Sequence, residues 1–239
     1  MDKQNDDKGF IEPQDKILKT NSLRAAVLGA NDGIVSVAGI VVGVAGATSS
    51  NVAIFTAGIA GLVAGALSMA AGEYVSVSSQ RDTERALLEK EKYELETNPE
   101  GELQELIGIY RSKGLSKKTA TLVATELTHS DAYAAHIDAE LGLDPNDLTN
   151  PLQASIASAV SFLIGALIPL LTIILVPVKT RLISTFVSVV IALVITGIAS
   201  AHFGGAKKIP ATVRVVVGGL LAMAITYGIG HVLGRTITG

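Results

Sequence analysis

Residues 52–97 read VAIFTAGIAGLVAGALSMAAGEYVSVSSQRDTERALLEKEKYELET, and the fold turns on how this stretch is read. Residues 52–77 carry a single charge, Glu73, and are long enough for a helix to cross the ~30 Å hydrocarbon layer, which takes about 20 apolar residues. From Arg81 onward charges crowd in, yet no Pro or Gly interrupts the chain until Pro99. One helix is therefore predicted to leave its apolar phase and continue as a polar helix over 80–97, ending near Asn98-Pro99.

The same length criterion yields five spans: Ala25 to Thr48, Val52 to Val77, Leu152 to Val176, Leu182 to Phe203 and Ala211 to Leu233. Helices suit them because a spanning segment must satisfy its backbone groups without water. A short Ser/Asn turn joins the first two into a hairpin. The expected fold is an all-α membrane protein in which residues 1–24 form a tail, 25–79 spans one and two, 80–150 a polar insert, and 151–239 spans three to five. In the insert, Glu100 opens a second helix that stops before Gly114. Ser116 caps a third running to Leu141, and Gly142 and Pro145 end it.

Composition agrees with that division. Of 239 residues 49% are hydrophobic and 17% charged, and mean hydropathy is +0.46, which excludes an ordinary soluble domain. Residues 80–150 hold 15 of the 22 acidic residues, and none follows residue 150. The absence of Cys excludes disulfides, iron–sulfur clusters and thiolate zinc sites. A formal net charge of −3 gives no pull toward nucleic acid. The polar first 24 residues carry no expectation of a cleavable leader. Of 19 Lys and Arg, 16 fall on the side of the tail, the insert and the loop before span five. Only Lys179, Arg181 and Arg235 fall on the other, so the positive-inside rule places the N-terminus and residues 80–150 in the cytoplasm.

Asp32 and Glu73 are the only acidic residues in the spans. An ionisable side chain there costs about 2.5–3.5 kcal/mol on insertion scales and ordinarily faces a polar path or a partner. In an antiparallel hairpin Met69 lies near the depth of Asp32, and Glu73 follows it by one turn on the same face. Carboxylate, thioether and carboxylate along one groove suit a borderline-soft divalent ion such as Fe²⁺, and the groove could also carry protons. A surface Glu73 and a purely packing Met69 fit the same spacing.

In the insert, Glu91 and Glu94, Glu102 and Glu105, and His136 and Glu140 are pairs at helical spacings that place both side chains on one face. Three converging helices would build an oxygen-rich site with one imidazole and room for more than one divalent cation. Lys90 and Lys92 interleave with the first pair, as in a solvated, salt-bridged face. Glu126 and His129 form the Glu-x-x-His of di-iron bundles, but only one copy is present. His202 and His231, near span ends, read as interfacial or packing residues. Gly39/Gly43, Gly61/Gly65 and Gly230/Gly234 allow close helix approach, within one chain or between two.

LRAAVLGANDGIVSVAGIVVGVAGA (23–47), AGLVAGALSMAAGEYVSVSSQRDTERALLEKE (60–91) and HIDAELGL (136–143) resemble the vacuolar iron transporter family. The resemblance implies a five-span homodimer with its path between subunits, a cytoplasmic three-helix metal-binding domain between spans two and three, and a transporter rather than an enzyme. It implies proton-coupled export of Fe²⁺, with Mn²⁺ as a further substrate, and no tightly bound cofactor. Asp32 and Met69 take the family's intramembrane ligand positions. Glu91, Glu94, Glu102, Glu105 and Glu140 take its cytoplasmic ones, while His136 and Ile137 replace a pair of methionines. The lipid bilayer, metal ions and protons are the expected partners, in a bacterial inner membrane or, in a eukaryote, an organellar one. Two other functions fit the residues less fully: a membrane-anchored metal sensor or adaptor, and a membrane-bound di-iron carboxylate oxidase.

Overall fold

The computed structural model describes residues 14–145 and 148–238, so residues 1–13 of the expected tail lie outside the described residues. Those described form seven α-helices and one π-helical turn, with no strand among them: α1 Gln14–Ala47, α2 Asn51–Thr97, α3 Pro99–Ser112, α4 Lys117–His136, the π-turn Ile137–Leu141, α5 Pro151–Leu175, α6 Arg181–Phe203 and α7 Lys208–Thr238. Five of these, α1, α2, α5, α6 and α7, are long and apolar enough to cross a membrane. The helix α1 already runs from the first described residue, Gln14, ahead of the expected first span at Ala25, and no Pro or Gly occurs between there and Gly29 to stop it.

The described residues divide into two compact units, one of those up to 73 together with those from 155 onward, and one of those between 74 and 154. In the first, α1, α6 and α7 pack on one another around Ile34, Val41, Leu193 and Met223, with Ile54, Phe162 and Leu170 completing the core. Apolar helices gain nothing from leaving lipid for an equally apolar neighbour, so close backbone approach and dispersion must hold them. Glycine makes that approach possible at two seams. A Cβ on Gly33 of α1 would meet the Phe162 carbonyl of α5, and one on Gly230 of α7 would meet the Gly43 carbonyl of α1. The other small-residue pairs are likewise used within the chain, Gly39 against Thr226, Gly61 against Ile40 and Gly65 against Phe162.

Hydroxyls and amides add a few cross-helix ties in this unit. Ser155 Oγ donates to the Ala70 carbonyl at 2.9 Å, and Thr196 Oγ1 reaches Asn31 Oδ1 at 3.5 Å. Arg181, counted from the sequence among the cations of the far face, is buried, and its guanidinium donates to Asn51 Oδ1 at 2.7 Å. That bond joins the first residues of α6 and α2.

The second unit contains the polar part of α2 with α3, α4 and the π-turn. Asn98 caps α3 by accepting the Gly101 N–H at 3.2 Å, ahead of Pro99 in the first turn. Ser116 caps α4 through the Thr119 N–H at 3.2 Å. Ala120 and Ala124 let α4 lie close against Leu106 and Ile107 of α3. The expected single helix to Leu141 is broken at Asp131, whose backbone is extended (φ −161°, ψ 100°). Its carboxylate accepts the Ala134 N–H at 3.0 Å and so caps the helix anew from inside. The last turn widens into the π-turn, and Gly142 at φ 61° ends it.

Candidate metal centre

Within the second unit, Glu91 of α2, Glu102 of α3 and His136 at the end of α4 converge. One ligand atom from each lies within 4.8 Å of the others, and all three residues are buried. Only 2% of Glu91, 6% of Glu102 and none of His136 is exposed. His136 Nδ1 stands 3.0 Å from Glu91 Oε1 and 3.7 Å from Glu102 Oε2. Yet Glu91 Oε1 and both imidazole nitrogens lack a hydrogen-bond partner of acceptable geometry. Buried polar atoms are nearly always satisfied, so Glu91 Oε1 and His136 Nδ1, buried side by side without a hydrogen bond of good geometry, are unusual and fit a cation between them.

The electrostatics point the same way. Burial, reinforced by Glu140 and Glu102, pushes the Glu91 carboxyl up to about 7. Glu102 is also raised, chiefly by burial and then by Glu105, while His136 pulls it back down. Burial and the neighbouring carboxylates thus disfavour the charged forms of Glu91 and Glu102, and a divalent ion would offset both.

Of the six insert ligands expected from the sequence, three therefore meet and three surround them. Glu105 and Glu140 are exposed, near enough to raise the buried acids. Glu94 is engaged by Lys90 at 2.8 Å, the i, i+4 salt bridge that the interleaved lysines suggested. Glu126 and His129 are exposed and outside the cluster. His231 stacks on Tyr227 with ring centroids 6.0 Å apart, and His202 packs beside Phe203, in keeping with packing roles.

In the first unit, Asp32 is exposed on α1 and accepts a hydrogen bond from Ser36 Oγ at 3.1 Å. Met69 packs partly buried against the apolar core, and Glu73 is half-buried one turn further along α2. Ser36 had escaped notice in the sequence, although its position four residues after Asp32 was the available signal. Asn31 was missed too: an amide beside the acidic residue gives no hint that its partner is Thr196, 165 positions away.

Five membrane-length helices and a buried carboxylate–imidazole cluster define a polytopic helical membrane protein with residues able to hold a cation. Comparison with known proteins narrows the class: the pattern of the VIT family matches residues 23–231. "Vacuolar iron transporter" of Acanthamoeba castellanii is 47% identical over 209 residues, covering 87% of this chain and 77% of that one. "Vacuolar iron transporter homolog 2.1" of Arabidopsis thaliana is 35% identical, with 93% and 86% covered. "VIT-like transporter 1b" of Glycine max is 37% identical, with 93% and 80% covered. The chain belongs to the VIT family.

Proposed function

We propose that this protein carries divalent metal, Fe²⁺ with Mn²⁺ as a second substrate, out of the cytosol in exchange for protons. The observation that carries the reading is the buried Glu91–Glu102–His136 cluster, in which Glu91 Oε1 and His136 Nδ1 lack hydrogen-bond partners. The names of the relatives agree with it. In this reading the cluster, with Glu94, Glu105 and Glu140 around it, gathers the ion on the cytoplasmic side. Glu73 then receives it, and Asp32 with Met69 binds it within the membrane. Mixed oxygen, imidazole and thioether donors suit Fe²⁺ better than Ca²⁺ or Mg²⁺, which prefer oxygen alone. His136 in place of a thioether keeps a donor, whereas Ile137 removes one.

The exposure of Asp32 favours a homodimer. It sits within an apolar span, and among the described residues no Lys or Arg pairs with it. A carboxylate facing lipid is costly, so a second copy closing over this face would enclose a polar path between subunits. Protonation of the path carboxylates would release the ion on the far side and couple its movement to the proton gradient.

The test is metal uptake into proteoliposomes with an internal metal-sensitive dye and an imposed pH gradient. Gradient-driven uptake of Fe²⁺ and Mn²⁺, abolished by Asp32→Ala and reduced by Glu102→Ala, is expected. Metal binding without uptake would overturn transport and leave a sensor.

A further inference from the structure

Hydroxyls inside apolar helices ordinarily satisfy themselves on the carbonyl one turn back. Ser161, Thr172 and Thr226 do so here, donating to Ala157, Ile168 and Ala222 at 2.8, 2.7 and 2.9 Å. Ser36 does not. Its Oγ donates instead to Asp32 Oδ1 at 3.1 Å, along the outer face of α1.

We infer that Ser36 is a positioning residue for the cation held by Asp32, an assignment that rests on the transport reading above. Among the described residues the Ser36 bond is the one tie on this carboxylate. Because the hydroxyl occupies Oδ1, it fixes the rotation of the side chain and leaves Oδ2 as the free donor for an incoming ion. The backbone beneath is fixed as well, since the next residue, Gly33, is seated against the Phe162 carbonyl of α5. Asn31, on the other side, is turned toward Thr196 of α6 and does not compete. A carboxylate restrained at both its backbone and one oxygen holds its ligand atoms in a defined place, as supporting hydrogen bonds do around metal ligands generally.

Ser36 also marks where the polar part of this face of α1 ends. One turn further along the same stripe stands Ile40, and beyond it Val44. An ion drawn to Asp32 thus meets no other side-chain donor from α1 at greater depth, and the orientation of this one carboxylate sets how well it is held.

The experiment compares wild type, Ser36→Ala, Ser36→Thr and Asp32→Ala in proteoliposomes, measuring initial Mn²⁺ uptake against Mn²⁺ concentration under a fixed pH gradient. Losing one charge-assisted hydrogen bond should raise the KM of Ser36→Ala about tenfold with little change in maximal rate. Ser36→Thr, which keeps the hydroxyl, should hold KM within about twofold of wild type. A wild-type KM in Ser36→Ala alongside an inactive Asp32→Ala would overturn the positioning role and leave the transport reading standing. A fall in maximal rate alone, or a failure of Thr to restore KM, would make Ser36 a packing residue and equally overturn it. Undiminished uptake by Asp32→Ala would overturn the transport path itself.

Discussion

Protons and metal should compete for the buried cluster, and the competition has a calculable size. Glu91 sits at about 7 rather than the ordinary 4.5, because burial and then Glu140 and Glu102 disfavour its charged form. A cation needs that carboxylate ionised, so affinity must rise with pH through the neutral range. Single-proton competition multiplies the apparent Kd by 1 + 10^(7 − pH), which makes binding about tenfold tighter at pH 8 than at pH 6. A carboxylate at its ordinary value would change affinity by only about 3% over the same interval. Glu102, raised in the same direction, steepens the dependence further toward acid. The assay is calorimetric titration of the purified full-length protein with Mn²⁺ at pH 6, 7 and 8 and constant ionic strength, repeated on Glu91→Gln. The variant should bind more weakly at pH 8 and show a flatter pH profile. A flat wild-type profile, or an identical slope in Glu91→Gln, would refute the argument.

Two further outcomes follow from the geometry. Glu102→Gln preserves the shape of a buried ligand but removes its charge, so Mn²⁺ affinity should fall by at least the ~10–100-fold seen when support around a metal is lost. Glu105→Gln, on the exposed rim, should cost only a few-fold, and equal losses in one titration series would contradict the division into centre and rim. Gly33→Ala forces a methyl group into the Phe162 carbonyl, so it should destabilise the packing of α1 on α5 by about 1–3 kcal/mol. Heating in detergent followed by size-exclusion chromatography would reveal this as a lower melting temperature, and a wild-type melting curve would show that the seam yields.

Much of the helical layout was legible because its causes are local. Twenty or more apolar residues, Asn98 before Pro99, Ser116 and Gly142 each act on the few residues beside them. The break at Asp131 was also local, but a single Asp in a helical pattern more often faces solvent than caps a new segment, so periodicity alone pointed to one helix. The early start of α1 arose where span length, the signal in use, no longer applied, since a helix can continue past the apolar layer.

The candidate centre was legible only as pairs. Helical spacing placed Glu91 with Glu94, Glu102 with Glu105 and His136 with Glu140, and it treated the six alike. Which member of each pair turns inward depends on how α2, α3 and α4 rotate against one another; for α3 and α4 the contact of Leu106 and Ile107 with Ala120 and Ala124 fixes that rotation. In the folded unit Glu91, Glu102 and His136 are buried while Glu105 and Glu140 stay in solvent. Burial in turn raises Glu91, a property absent from the isolated residue.

From the sequence by itself came the five spans, the caps, the two intramembrane acids and the set of residues able to bind a cation, because hydropathy, backbone preference and side-chain chemistry are properties of short segments. Tertiary structure alone decided that Gly33 and Gly230 are seams within one chain, that Arg181 reaches Asn51, and that three of six expected ligands form the buried centre. Those outcomes depend on the approach of helices distant in sequence, where steric fit and desolvation act between residues that no local pattern connects.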